Sequence, residues 1–204
     1  LMFLQALQTL SGNGPNQFGT YKSSYLTKAM SDDQVEATYD WLHRTPKGMP
    51  LAQMSQSLVQ VDSYGGAVND VPADATAIPQ RSSILKLQYQ SYWNNAAEPG
   101  RADQGKFGRQ QAAHLDWIRG LYAQTYASSG GVPDPAMDPT GVVDGCYGNY
   151  PDSDLGTHAD GRLDRALWLY YLDNFRRNPR NLVAVKQYWD PSDRFHNAQS
   201  IPVR

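Results

Sequence analysis

Residues 82–93, SSILKLQYQSYW, alternate between apolar and polar side chains. Successive side chains of a β-strand point to opposite faces of a sheet, so this alternation predicts a strand with two unlike faces. The apolar face is predicted to carry Leu85, Leu87 and Tyr89. The polar face is predicted to carry Lys86, Gln88, Gln90 and Tyr92. Such a strand requires a sheet that is covered by other elements on one side only.

The rest of the chain mixes strand and helix patterns. Strands are also predicted at 20–30, 57–66 and 142–150, and helices at 1–10, after Ser31, at 105–126, 163–175 and 181–188. Ser31 and Gln34 form a capping box, and Val35, Tyr39 and Leu42 are expected on the buried stripe of that helix. In the helix at 105–126 the stripe is expected to be Leu115, Ile118, Tyr122 and Tyr126. We therefore expect an α+β fold, an antiparallel or mixed sheet with helices stacked on one face.

Composition excludes several classes of function. The 204 residues are 40% hydrophobic with a net charge of −2, and no run of like charges is present to bind nucleic acid or an anionic membrane. No apolar stretch is long enough to span a bilayer. Cys146 is the only cysteine, and the four histidines share no ligand spacing, so we expect no disulfide within the chain and no metal site.

The candidate functional residues lie on three predicted strands. Gln60 and Asp62 are two apart on one strand, as are Lys86 and Gln88 on another, and Tyr147, Asn149 and Tyr150 end a third. From the residues alone, two readings stay open. These side chains line a polar pocket, or they are simply the solvated side of a half-buried sheet. For Asp62 a third reading is a cap on the turn at Ser63–Gly66.

Several long motifs resemble those of the berberine bridge enzyme-like flavoenzymes, in the vanillyl-alcohol-oxidase group. They occur in the family's order and cover nearly the whole chain. The upstream segments are SGNGPNQFGTYKSSYL, QVDSYGGAVNDV and ATAIPQRSSILKLQYQSYW. The matching positions downstream are Tyr147, Asn149, Tyr150, Asp152, Asp154, Leu155, Lys186, Asp190, Pro191, Phe195, Gln199, Ser200, Ile201 and Pro202. One departure is Asp193, where the family usually has Asn.

The resemblance implies an FAD-dependent oxidase in which O2 reoxidises the flavin. It makes Tyr150 the catalytic base and places Tyr147 and Asn149 against the cofactor. A free phenol ionises near pH 10, so a cation is needed to favour its anion at neutral pH. Lys86 at about 4 Å would contribute roughly 4 kcal/mol, and Gln88 would donate a hydrogen bond to the same oxygen. Gln60, Asp62 and Tyr64 are the expected contacts to a hydroxylated substrate such as a sugar or glycoside.

The resemblance also implies how the chain is organised. Residues 1–150 correspond to a partial substrate-binding domain, and residues 151–204 to a C-terminal segment that packs on the FAD domain. The family's Gly-rich pyrophosphate loop and flavin-linking residues are absent from the sequence, which begins at Leu1. We expect FAD to be attached through another part of the protein, either the N-terminal part of the same polypeptide or a second chain. A catalytically silent binding or storage protein is the alternative.

Overall fold

The core of the fold is an antiparallel sheet. A computed structural model describes residues 18–47, 49–93, 104–177 and 181–204. Within these ranges the strands are β1 (Phe18–Leu26), β2 (Ser57–Ser63) and β3 (Leu85–Trp93), in the order β1-β3-β2. The alternating segment that opened the analysis is thus the central strand, paired antiparallel on both sides.

Four α-helices in the described residues complete the architecture, which confirms the predicted α+β class. They are α1 (Asp32–Leu42), α2 (Gln104–Thr125), α3 (Leu163–Tyr171) and α4 (Leu182–Trp189). The helix predicted at 1–10 lies outside the described residues.

Helix α2 covers the apolar face of the sheet, as the alternation in β3 predicts. Leu87 and Tyr89 are buried together with Ile118, Tyr122 and Tyr126 of the predicted α2 stripe. The buried phenols are hydrogen-bonded, because Tyr126 and Tyr89 share a bond of 2.8 Å and Tyr122 donates to the Ser23 carbonyl at 2.7 Å. The sheet is therefore fixed to α2 by packing and by satisfied polar groups.

The stripe predicted for α1 is wrong, although its capping box is confirmed. Val35, Tyr39 and Leu42 are 52%, 62% and 45% exposed, whereas Gln34 and Ala37 are buried. The rotation of α1 is set by its packing on α2. The Trp41 ring lies so close to Gly120 that a Cβ there would be 2.1 Å from it.

The segment at 142–150 is not a strand. It follows β1 through an isolated bridge between Leu26 and Val143, and then turns. Gly145 has a φ of 82°, and a Cβ there would lie 2.4 Å from the Leu169 carbonyl oxygen. The left-handed backbone breaks the extended run, and a turn closed by the bond from Tyr150 N to Tyr147 O (3.0 Å) follows.

Candidate active site

The face of the sheet opposite α2 carries the candidate site. Asp62 is paired with Lys86, which is paired in turn with Tyr25, and Gln60 is paired with Gln88. Paired residues of neighbouring strands point to the same side, so these side chains share one surface, which we call the polar face. The predicted alternation therefore brings the candidates of β2 and β3 together.

The turn at 147–150 adds its two tyrosines to the polar face. The ammonium of Lys86 lies 5.1 Å from the ring centroid of Tyr147 and 5.7 Å from that of Tyr150. The two rings meet edge to face at 5.0 Å. A cation over two electron-rich rings is a favourable arrangement, and it places positive charge beside both phenols.

The two phenol oxygens have different environments. Tyr147 accepts a hydrogen bond from Asn149 Nδ2 at 2.8 Å. No hydrogen bond to the Tyr150 hydroxyl is found in the described residues, and its ring stacks on Tyr21 at 6.1 Å and 20°. Tyr150 is thus held by its ring while its oxygen stays available to a ligand.

A chain of hydrogen bonds runs across β3 and β2. Gln90 donates to Gln60 at 3.1 Å, and Gln60 donates to Asp62 at 2.9 Å. The other carboxylate oxygen of Asp62 lies 3.3 Å from Lys86 Nζ. The Gln60 amide, with the Lys86 ammonium, holds the pKa of Asp62 below its usual range. These contacts keep Asp62 ionised and hold it against β3. A carboxylate that only capped the turn at Ser63–Gly66 would need neither contact.

Gln88 and Tyr64 flank this chain. Gln88 is almost fully buried on the polar face, but among the described residues its side chain makes no hydrogen bond to Tyr150. Tyr64 packs edge to face on Tyr25 at 5.0 Å. Burial against Tyr64 and Tyr147 raises the pKa of Tyr25 well above its ordinary value. Tyr25 therefore stays protonated as a fixed wall of the site.

Sequence reasoning missed Tyr21 of β1 and its contact with Tyr92 of β3. Tyr92 donates to the Tyr21 hydroxyl at 2.9 Å, and their rings meet edge to face at 5.6 Å. Gly19 permits this contact, because a Cβ there would lie 2.6 Å from the Tyr92 ring. The period of two in β3 places Tyr92 on the polar face, but its pairing with Tyr21 depends on a register that the sequence does not encode locally.

Behind the sheet, buried charges hold the loop that follows Tyr150. Lys22 lies 2.7 Å from Asp152 and 2.8 Å from Asp154. Arg119 binds Asp154 through two nitrogens at 2.8 Å each. Burial raises the pKa of Asp152 against the opposing effect of Lys22, while Arg119 and Lys22 lower that of Asp154 to about 2. The loop is thereby anchored to β1 and α2.

The departure at Asp193 is structurally conservative. Asp193 has a φ of 51°, in the left-handed region that Asp and Asn both tolerate. Its carboxylate lies 2.9 Å from Lys186, which also contacts Asp190 and donates to the Phe195 carbonyl at 2.6 Å. The aspartate adds an ion pair to this turn and keeps its backbone.

The described ranges contain no reactive cysteine, no metal site and no membrane-spanning helix. Cys146 is buried, and burial raises the pKa of its thiol to about 12, so it is unreactive. No group of His, Cys, Asp and Glu in the described residues is arranged to hold a metal ion. None of the described helices has the length and apolar character needed to cross a bilayer.

Comparisons with known proteins agree with the motifs. The family described as berberine and berberine like matches residues 146–202. Hexose oxidase from Chondrus crispus is 41% identical over 99% of this chain and 34% of its own length. Aclacinomycin-N/aclacinomycin-A oxidase from Streptomyces galilaeus is 38% identical over 88% of this chain and 28% of its own length.

Solved structures give the same relationship. A glycopeptide hexose oxidase complexed with teicoplanin superposes with a TM-score of 0.70 and 37% identity, over 93% of this chain and 33% of that one. The oxidoreductase of the terminal step of gilvocarcin biosynthesis has a TM-score of 0.71 and 34% identity, over 93% of this chain and 34% of that one. The chain thus spans about a third of the length of these relatives. It belongs to the berberine bridge enzyme-like family of the vanillyl-alcohol-oxidase group.

Proposed function

We propose that the protein containing this chain is an FAD-dependent oxidase of a hydroxylated substrate such as a sugar, a glycoside or another secondary alcohol. The observation that carries the proposal is the position of Lys86 over the rings of Tyr147 and Tyr150, with the Tyr150 oxygen unengaged by the described residues. The oxidase names of the relatives support the reaction class.

Tyr150 is the base in this proposal. It takes the proton of the substrate hydroxyl as the carbon loses hydride, so that an alcohol becomes a carbonyl compound. The ammonium of Lys86, 5.7 Å from the Tyr150 ring centroid, supplies positive charge beside this base. Asp62 holds Lys86 in place at 3.3 Å, and with Gln60 it offers acceptors to other hydroxyl groups of the substrate.

The polar face fits one wall of a flavin site. Asn149 is exposed, and its amide and the Tyr147 phenol offer donors and acceptors next to aromatic surface. FAD, when bound, would supply the hydride acceptor and pass the electrons to O2. The sequence lacks a Gly-rich pyrophosphate loop, so most of the cofactor's contacts must come from elsewhere.

Residues 151–204 carry the surface that we assign to the FAD-binding part. Tyr188, Trp189 and Phe195 are 76%, 78% and 83% exposed. Such a concentration of exposed aromatic side chains is typical of an interface. In this proposal, residues 1–150 supply the substrate pocket and residues 151–204 dock on the FAD-binding part of the same polypeptide or of a second chain.

The complete protein tests this function. Under anaerobic conditions, D-glucose and simple glycosides should bleach the visible flavin absorption, and admission of air should restore it with release of hydrogen peroxide. Bleaching by none of these hydroxylated compounds, with flavin retained, would contradict the proposal and favour the silent binding protein.

A further inference from the structure

A pocket of about 230 Å³ opens on the polar face beside Lys86 and Tyr147. Its remaining walls are Tyr25, Tyr64, Val68, Ile78 and Arg81. Three phenols, two aliphatic side chains and two cations thus surround this space, and Lys86 in its wall also lies 5.7 Å from the ring centroid of Tyr150. None of the sequence motifs singled out Arg81 as a functional residue.

Arg81 brings an uncompensated charge to this pocket. Its guanidinium donates to the Val68 carbonyl at 3.2 Å and to Thr76 Oγ1 at 2.7 Å, and both acceptors are neutral. Its buried Nε finds no acceptor in the part of the chain that the structure describes. No carboxylate of the described residues forms an ion pair with Arg81.

Two other ionisable groups lie near the pocket. Lys86 is paired with Asp62 at 3.3 Å. Asp144, whose backbone N–H donates to the Tyr25 carbonyl at 2.9 Å, has its carboxyl group bound by Ser83 Oγ at 2.7 Å, and burial raises the pKa of this carboxyl. The pocket therefore keeps the positive charge of Arg81, fixed in position by its two neutral acceptors.

We propose that this pocket receives a carboxylate group of the substrate, so that the preferred substrate is a sugar acid. The inference rests on the proposed oxidase function and names its substrate class. A planar guanidinium in a partly desolvated, tyrosine-lined pocket matches a carboxylate by charge and by its paired donors. The phenols of Tyr25 and Tyr64 add donors, and a volume of about 230 Å³ leaves room for the carboxylate together with part of the sugar ring.

The test compares D-glucuronate with D-glucose on the complete flavin-loaded protein. The wild-type protein should have the higher kcat/KM for glucuronate. In Arg81→Gln the ratio of the two kcat/KM values should fall about 10- to 100-fold, mainly through KM for glucuronate, with Arg81→Lys in between. Arg44→Gln, which removes an exposed arginine just after the end of α1, should leave the ratio unchanged.

Thermal unfolding gives a second readout that needs no turnover. Glucuronate should raise the unfolding temperature of the wild-type protein more than glucose does, and Arg81→Gln should abolish the difference. Equal kcat/KM values and equal thermal shifts for the two sugars in the wild-type protein would overturn the inference while leaving the oxidase intact. Equal losses on both sugars in Arg81→Gln would also overturn it, because Arg81 would then hold the fold or pair with another part of the protein. Failure of every sugar to reduce the flavin would instead count against the proposed function.

Discussion

The ammonium of Lys22 lies 2.7 Å from Asp152 Oδ2, with both side chains almost fully excluded from solvent. Lys22 belongs to β1, and Asp152 comes two residues after Tyr150. Tyr21, which precedes Lys22 on β1, points to the other face of the sheet and stacks on the Tyr150 ring. Consecutive residues of one strand therefore fix the predicted base, one by ring contact and the other through the loop that follows it.

Lys22→Met should destabilise the complete protein strongly. Removing one partner of a buried ion pair leaves Asp152 with an uncompensated charge, which typically costs about 3–5 kcal/mol in free energy of unfolding. Arg119→Gln, whose side chain is 48% exposed, should cost about 1 kcal/mol or less. Urea unfolding of both variants checks this, and similar losses for the two would contradict it.

His114 should make stability depend on pH. Burial lowers the pKa of His114, whose Nδ1 lies 2.9 Å from Ser91 Oγ and whose Nε2 has no hydrogen-bond partner among the described residues. Because the folded-state pKa lies below the unfolded value, the unfolded chain binds the proton first as the pH falls. Stability should therefore fall below about pH 6.5, by up to about 1.4 kcal/mol per pH unit.

The matched variants are His114→Gln and the exposed His158→Gln. The first should flatten the loss of stability between neutral and acidic pH, and the second should leave it unchanged. Denaturant unfolding across that range provides the measurement, and identical pH profiles for all three proteins would refute the assignment to His114.

Lys86→Met should slow the reduction of the flavin by substrate. The substitution removes the ammonium that lies 5.7 Å from the Tyr150 ring centroid and that pairs with Asp62 at 3.3 Å, so the proposed base and a proposed substrate contact both lose a partner. Flavin content should stay unchanged. Lys28→Met, which removes an exposed lysine two residues after the end of β1, is the control. A wild-type rate of flavin reduction in Lys86→Met would mean that Lys86 belongs only to the solvated side of the sheet.

The exposed aromatic surface of residues 151–204 predicts dependence on the FAD-binding part. Expressed alone, residues 1–204 should bind FAD no tighter than the micromolar range and should aggregate. The triple variant Tyr188→Ser, Trp189→Ser and Phe195→Ser should improve solubility, because these side chains are 76%, 78% and 83% exposed. Tight FAD binding in a titration of the isolated chain would contradict the proposal that FAD is held mainly by another part of the protein.

Local patterns predicted the elements better than their contacts. The alternation in β3 predicted its two faces, and Ser31 with Gln34 predicted the start of α1. The orientation of α1 could not be predicted, since it depends on Trp41 fitting against Gly120 of α2. Val35, an apolar residue at a helical position, is consequently exposed.

The candidate site shows the same limit. Lys86 and Asp62 could be placed on polar faces from a period of two, but their pairing depends on strand register. Lys22 gives no local sign that its partner is Asp152, 130 residues away. Arg81 likewise looks like an ordinary loop arginine, and only the tertiary structure shows that no carboxylate of the described residues pairs with it. Long-range contacts of this kind are set by the packing of the whole domain and leave no short-range signal.

Tyr150→Phe tests the predicted base most directly. The substitution keeps the ring that stacks on Tyr21 at 6.1 Å and removes only an oxygen that the described residues leave unengaged. Folding and the flavin spectrum should survive, while the rate of flavin reduction by substrate should fall about 10²- to 10⁴-fold, the usual contribution of a positioned general base. Tyr147→Phe should cost much less, because its oxygen is occupied by Asn149 at 2.8 Å and its proposed role is to orient the cofactor. Stopped-flow reduction of both variants in the complete protein decides between them. Near wild-type reduction of Tyr150→Phe, or a slower Tyr147→Phe, would move the role of base away from Tyr150.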